Sequence, residues 1–81
     1  MGKYVLKNKY DEYVKDIDTA NGQLLLTKDY DEAYNYDDLP GGGAWASENT
    51  NIFIQHHFTE EMGDRVTTLK PKYVRQNGSE L

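Results

Sequence analysis

The run His56-His57-Phe58-Thr59-Glu60-Glu61 is the one stretch whose residue types could hold a metal or move a proton. On a helix, His56 with Glu60 and His57 with Glu61 stand four residues apart, so each pair shares a face. Either pair offers two ligands to a metal ion, whereas a protein zinc site takes three or four. The chain has no cysteine and no third histidine, and it lacks the H-E-x-x-H spacing of metalloproteases. A small metal-dependent hydrolase using His56, His57, Glu60 and Glu61 is therefore one reading. The plainer reading is two surface His–Glu contacts worth about 0.3 kcal/mol each. Serine chemistry has less to build on. Ser47 and Ser79 are the only serines, neither lies in a G-x-S-x-G turn, and Ser47 reads as a helix cap. Carboxylates are abundant, but none is marked by an apolar setting as a general acid must be. The residues predict a non-enzymatic protein with no cofactor and no metal.

The second candidate is the segment Lys28-Asp29-Tyr30-Asp31-Glu32-Ala33-Tyr34-Asn35-Tyr36-Asp37-Asp38, five carboxylates interleaved with three tyrosines. Asp29 and Glu32 have capping-box spacing, and Asp31 and Glu32 suit the positive end of a helix dipole. A short helix is expected here, with Tyr30, Ala33 and Tyr34 toward the core. Pro40 and Gly41-Gly42-Gly43 end it. Asp29, Tyr30, Asp31, Glu32, Tyr34, Tyr36, Asp37 and Asp38 are the candidate partner-binding residues, because tyrosine is favoured at interfaces. Such a row could also imitate phosphates and occupy a host protein that grips DNA or RNA.

These candidates must be carried by a small frame. The chain has 81 residues, which suits one domain that buries roughly 60% of its unfolded surface. The seven tyrosines, two phenylalanines and one tryptophan argue against disorder. No apolar run reaches membrane-spanning length, and the first residues have no signal-peptide core, so a cytoplasmic setting is expected. The net charge is −5, placed unevenly. Residues 11–38 carry nine acids against Lys15 and Lys28, while Lys3, Lys7, Lys9, Arg65, Lys70, Lys72 and Arg75 lie toward the two ends. If the terminal strands adjoin, one edge or face becomes positive. The overall negative charge disfavours direct nucleic-acid binding.

Strands are read at Lys3–Lys7, Glu12–Asp18 and Gln23–Thr27. Asn8–Asp11 forms the first turn, and Asn21-Gly22 supplies a strong hairpin signal for the second. Leu24, Leu25 and Leu26 cannot all face one way, so the third strand should be covered on both sides. Leu39–Gly43 is a connector without P-loop chemistry. A helix from about Ala44 or Ser47 to Met62 follows from Ile54, Phe58 and Met62 and from the terminal Gly63. Trp45 is expected to anchor the core. The last strand is placed at Arg65–Lys70, with Pro71 ending it or marking an edge, and Lys72–Arg75 extended. The expected fold is α+β, a small mainly antiparallel sheet in the order β-β-β-α-α-β with helices packed on one face. The domain spans residues 1–75, and 76–81 read as a disordered tail of the kind cloning appends.

The strand Tyr4-Val5-Leu6, the entry Leu26-Thr27-Lys28-Asp29-Tyr30-Asp31-Glu32-Ala33 and the closing Arg65-Val66-Thr67-Thr68-Leu69 resemble small accessory proteins encoded by phages and mobile elements of Gram-positive bacteria. The likeness covers roughly residues 3–70. It implies an accessory role, and no site residues come with it. The function expected is a protein-interaction module with an unknown protein partner, forming a homodimer through an uncovered sheet face or edge, and not associated with a membrane.

Overall fold

The computed structural model describes residues 1–81. Strands β1 (Gly2–Lys7), β2 (Tyr13–Asp18) and β3 (Gln23–Thr27) are followed by two single 3-10 turns, Tyr30–Glu32 and Tyr36–Asp38. Helix α1 (Gly43–Met62), the short helix α2 (Asp64–Thr67) and strand β4 (Lys70–Arg75) complete the chain. The four strands form one antiparallel sheet in the order β3-β2-β1-β4. The fold is α+β, with both helices on one face.

Two apolar clusters lie on opposite faces of this sheet. Leu6, Val14 and Leu24 pack with Ala46, Ile54 and Phe58 of α1, Val66 of α2, and Leu69 and Tyr36. Val5 and Val74 point the other way and pack with Tyr13 and Ala33. Strict alternation would put Val14 and Ile17 on different faces. A bulge between Val14 and Asp16 adds one residue, so that Val14 opposes Leu26 and Ile17 opposes Leu24 on the helix side. Leu25 faces away and stays exposed.

β1 and β2 are in register only at Lys7↔Tyr13. Below that pair the strands separate into a V. The chain after the first 3-10 turn fills it: the Tyr34 N–H donates to the Val14 carbonyl (3.0 Å), and Lys3 Nζ donates to the Ala33 carbonyl (3.0 Å). Residues 30–33 therefore sit with Val5 and Val74, while Tyr36 sits with Leu6 and α1. The segment passes from one face of the sheet to the other.

The single short helix expected at 29–38 is thus replaced by two 3-10 turns. Each has its own side-chain cap. Asp29 accepts from the Asp31 N–H, and Asn35 accepts from the Asp37 N–H. The capping box does not close, because the Glu32 carboxylate instead takes the Thr27 hydroxyl (2.9 Å) and Lys15 (3.8 Å). A continuous helix could not make the crossing, since its backbone groups would be used internally.

α1 ends as expected at Gly63, whose φ of 58° lies in the left-handed region. The chain then restarts as α2, so the strand expected at Arg65–Lys70 begins only at Lys70. Val66 and Leu69 are both buried against α1, and on one strand their spacing would send them to opposite faces. Asn51 and Gln55 of α1 donate to the carbonyls of Leu69 (3.2 Å) and Val66 (2.6 Å), fixing this link. Trp45 does not anchor the core. It is 60% exposed, and its ring lies over the backbone of Gly41. Gly43 is needed at the start of α1, because a Cβ there would meet Tyr4 and the Asp37 carboxylate. Ser47 is fully buried inside α1 and donates to the Ala44 carbonyl, so it neither caps the helix nor faces a substrate. Residues 76–81 do not extend freely: Glu80 pairs with Val74, and the Leu81 N–H donates to the Tyr73 carbonyl (3.0 Å).

Buried Asn8 ties the β1–β2 turn to α2. Its amide donates to the Arg65 carbonyl and to Glu12 (both 2.9 Å), and its oxygen accepts from the N–H groups of Tyr10 and Glu12. Arg65 closes the knot with a two-pronged contact to the Glu12 carboxylate at 3.0 and 2.9 Å. The Arg65 hydrogen bond, helped by Asn8, holds the Glu12 carboxyl below the usual range against its partial burial. Asn8→Ala leaves several of these groups without partners and is expected to cost about 2–3 kcal/mol in urea unfolding. A carboxyl whose folded pKa is depressed stabilises above its unfolded value, near 4.3, and loses that contribution as pH falls through the folded value. Glu12→Gln should therefore flatten the acid limb of stability against pH below about 4.5, measured by urea midpoints.

Candidate interaction surface

The sequence-predicted partner residues are divided by the crossing. Asp29, Tyr30, Asp31 and Glu32 lie with the first 3-10 turn on the face away from the helices. Tyr30 is half-buried, donates from its hydroxyl to the Val74 carbonyl (2.8 Å), stacks edge-on to Tyr13 and lies under Lys3. It is structural cement there. Tyr34, Tyr36, Asp37 and Asp38 lead to the helix side. Asp37 and Asp38 remain exposed, and Asp37 stands beside the start of α1. The carboxylates do not form one row.

Tyr34 and Tyr36 stack edge-to-face at 4.9 Å. Tyr36 is buried, and that burial, with help from Tyr34 and Asp16, pushes its hydroxyl above the ordinary phenol range. Together they line a groove of about 210 Å³ at the seam of α1 and β2, with Val14, Asp16, Ile17, Leu39 and Thr50. Ile17 also belongs to a second groove of about 250 Å³ that continues along the seam to Phe53, His57 and Phe58.

The outer side of α1 adds to this seam. A surface helix normally turns charged and polar residues to water. Here Trp45, Ile52 and Phe53 are exposed, Ile52 by 68%. Trp45, Ile52 and His56 share one row by spacing, with Phe53 and His57 in the next. The Phe53 and His57 rings lie 4.2 Å apart, and the two histidine rings 4.9 Å. The ion pairs of the chain all lie elsewhere, so His56–Glu60 and His57–Glu61 do not close. No three side chains of metal-binding type gather at the histidines or at any other place.

Of the residues singled out from the sequence, Tyr34 and Tyr36 line this seam, whereas the exposure of Ile52 and Phe53 and the outward turn of Trp45 were not anticipated. The available signal was apolar residues all round α1, with no single polar stripe. No protein-family model matches the sequence, and neither a curated protein nor a solved structure matches it. No helix is long and apolar enough to cross a membrane.

If this surface is free in solution, Ile52→Ser and Phe53→Ser should each leave the urea unfolding free energy within about 0.5 kcal/mol of the parent. Ile54→Ala, one residue on but fully buried, should cost about 3 kcal/mol. A comparable loss at Ile52 would mean that the outer face is covered.

Proposed function

We propose that the chain is a non-enzymatic protein-interaction module whose contact surface is the outer side of α1 with the adjoining seam. The observation that carries this reading is the exposure of Trp45, Ile52 and Phe53 on a helix whose other side is firmly packed. Aromatic and aliphatic groups at the centre of a surface supply the apolar contact that holds protein partners, while charges at the rim set orientation and encounter rate. Asp16 lies in the seam, Asp37 and Asp38 lie by the start of α1, and Glu48 is exposed on it. A fitting partner presents an apolar segment flanked by lysine or arginine. This suits an accessory factor working in the cytoplasm, the role implied by the resemblance to mobile-element proteins. The acidic-inhibitor reading needs the carboxylates alone to hold the partner.

The two readings separate by capture from host lysate at 50 and 500 mM salt, chosen because screening at the higher strength removes contacts between exposed charges. The interaction module retains its partner at high salt and loses it in the double variant Ile52→Ser, Phe53→Ser. Asp37→Asn with Asp38→Asn should leave high-salt capture intact. Capture that vanishes at high salt and is insensitive to the α1 double variant would overturn the proposal.

A further inference from the structure

The register of β1 with β4 places Lys7 directly opposite Lys70 and Val5 opposite Lys72. All three lysines therefore stand on the sheet face away from α1. The first 3-10 turn covers only the apolar part of that face, around Val5, Tyr13 and Val74. Where this end of β1 and β4 meets α2 and the link that follows it lies a wholly polar cleft of about 340 Å³, lined by Lys7, Asn8, Lys9, Thr67, Thr68, Lys70 and Lys72.

Like charges directly across a strand pair are destabilising. Here the chain supplies its own anion. The Glu80 carboxylate takes hydrogen bonds from Lys7 (2.7 Å) and Lys72 (2.9 Å), one to each oxygen. Lys7 also meets Asp11 at 3.4 Å, and Lys9 meets Asp64 at 3.1 Å. Lys70 has no ion-pair partner, and the Thr67 hydroxyl makes no hydrogen bond. Three carboxylates thus meet three of the four lysines of the cleft, Glu80 bridging two of them from beside it, and Lys70 is left without one. Lys7 is held above the ordinary lysine range chiefly by its hydrogen bond to Glu80.

We propose that this cleft is a binding site for a compact phosphate-bearing small molecule of diphosphate type, and that Glu80 is its internal competitor. A diphosphate offers more oxygens and more charge than the carboxylate, so it engages Lys70 and Thr67 as well as Lys7 and Lys72 once Glu80 moves aside. Lysines act on phosphate as point charges with freely turning donors, which suits a compact group. The net charge of −5 works against a long polyanion, whose charge extends beyond the cleft. Glu80 is carried on a short folded-back segment outside the four-stranded sheet, held to β4 by the Arg75 N–H to the Ser79 carbonyl and the Leu81 N–H to the Tyr73 carbonyl, so turning its side chain aside leaves the sheet intact.

The test uses the whole chain and sodium pyrophosphate at constant ionic strength, followed by amide NMR. Saturable shifts are expected at Lys7, Lys9, Thr67, Thr68, Leu69, Lys70, Lys72 and Glu80. Glu80→Gln removes the competing charge and should tighten binding about tenfold, equivalent to about 1.4 kcal/mol. Lys70→Gln, at a side chain engaged in no ion pair, should weaken it about fivefold while leaving the unfolding midpoint unchanged. Absence of saturable shifts in both the parent and Glu80→Gln overturns the proposal, as does equal affinity in the two. Tighter binding of a phosphoserine peptide or a single-stranded oligonucleotide than of pyrophosphate also overturns it, because the site would then serve a macromolecule. The outcome is independent of the α1 surface.

Discussion

The separation of β1 from β2 below Lys7↔Tyr13 is the constraint on which the molecule rests. Two adjacent strands that part company leave backbone donors and acceptors that must find partners elsewhere. The Val14 carbonyl finds the Tyr34 N–H, and so the following segment is drawn into the opening. From that one event come the cover over Val5 and Val74, the burial of Tyr36 beneath α1, and the division of the carboxylates between two faces. A sheet of four short strands with one bare apolar side would be poorly stable alone. Filling the V gives each side a cover with only 81 residues.

The same economy governs the polar groups. Every buried side-chain nitrogen and oxygen has a partner. Asn8 satisfies a turn and a helix end together, and Asn51 and Gln55 do so for the link into β4. Because burial costs are met locally, the chain can leave apolar groups on α1 uncovered without losing a defined fold. Exposed apolar side chains are ordinary when scattered. Gathered on one helix beside an apolar seam, they describe a surface suited to contact.

Strands and turns were readable where local chemistry decides them. Asn21-Gly22 marked its hairpin, the Leu24–Leu26 run marked a strand, though Leu25 is left uncovered on the far face, and Gly63 marked the end of α1. Pro71 lies in an edge strand, as its missing N–H requires. The adjacency of the terminal strands, posed as a condition from charge layout, is met by β1 and β4. What escaped the sequence depends on contacts distant along the chain. The tyrosine-rich segment has helical caps, yet its path is set by the Val14 carbonyl. Trp45 has core character, yet the nearby Gly41 backbone offers its ring a seat outside. Val66 is β-branched, yet burial alongside Leu69 selects a helical turn. The pairing of Glu80 with Lys7 and Lys72 follows from a strand register that periodicity does not encode.

The crossing also carries a kinetic consequence. The β2–β3 hairpin is local and can close within microseconds, whereas β1 must wait for β4 from the far end of the chain, a slower closure. If β1 zipped along the whole of β2 in the meantime, the entrance for residues 33–35 would be sealed. Such a fully paired intermediate would be a dead end that has to reopen before α1 could dock on Tyr36.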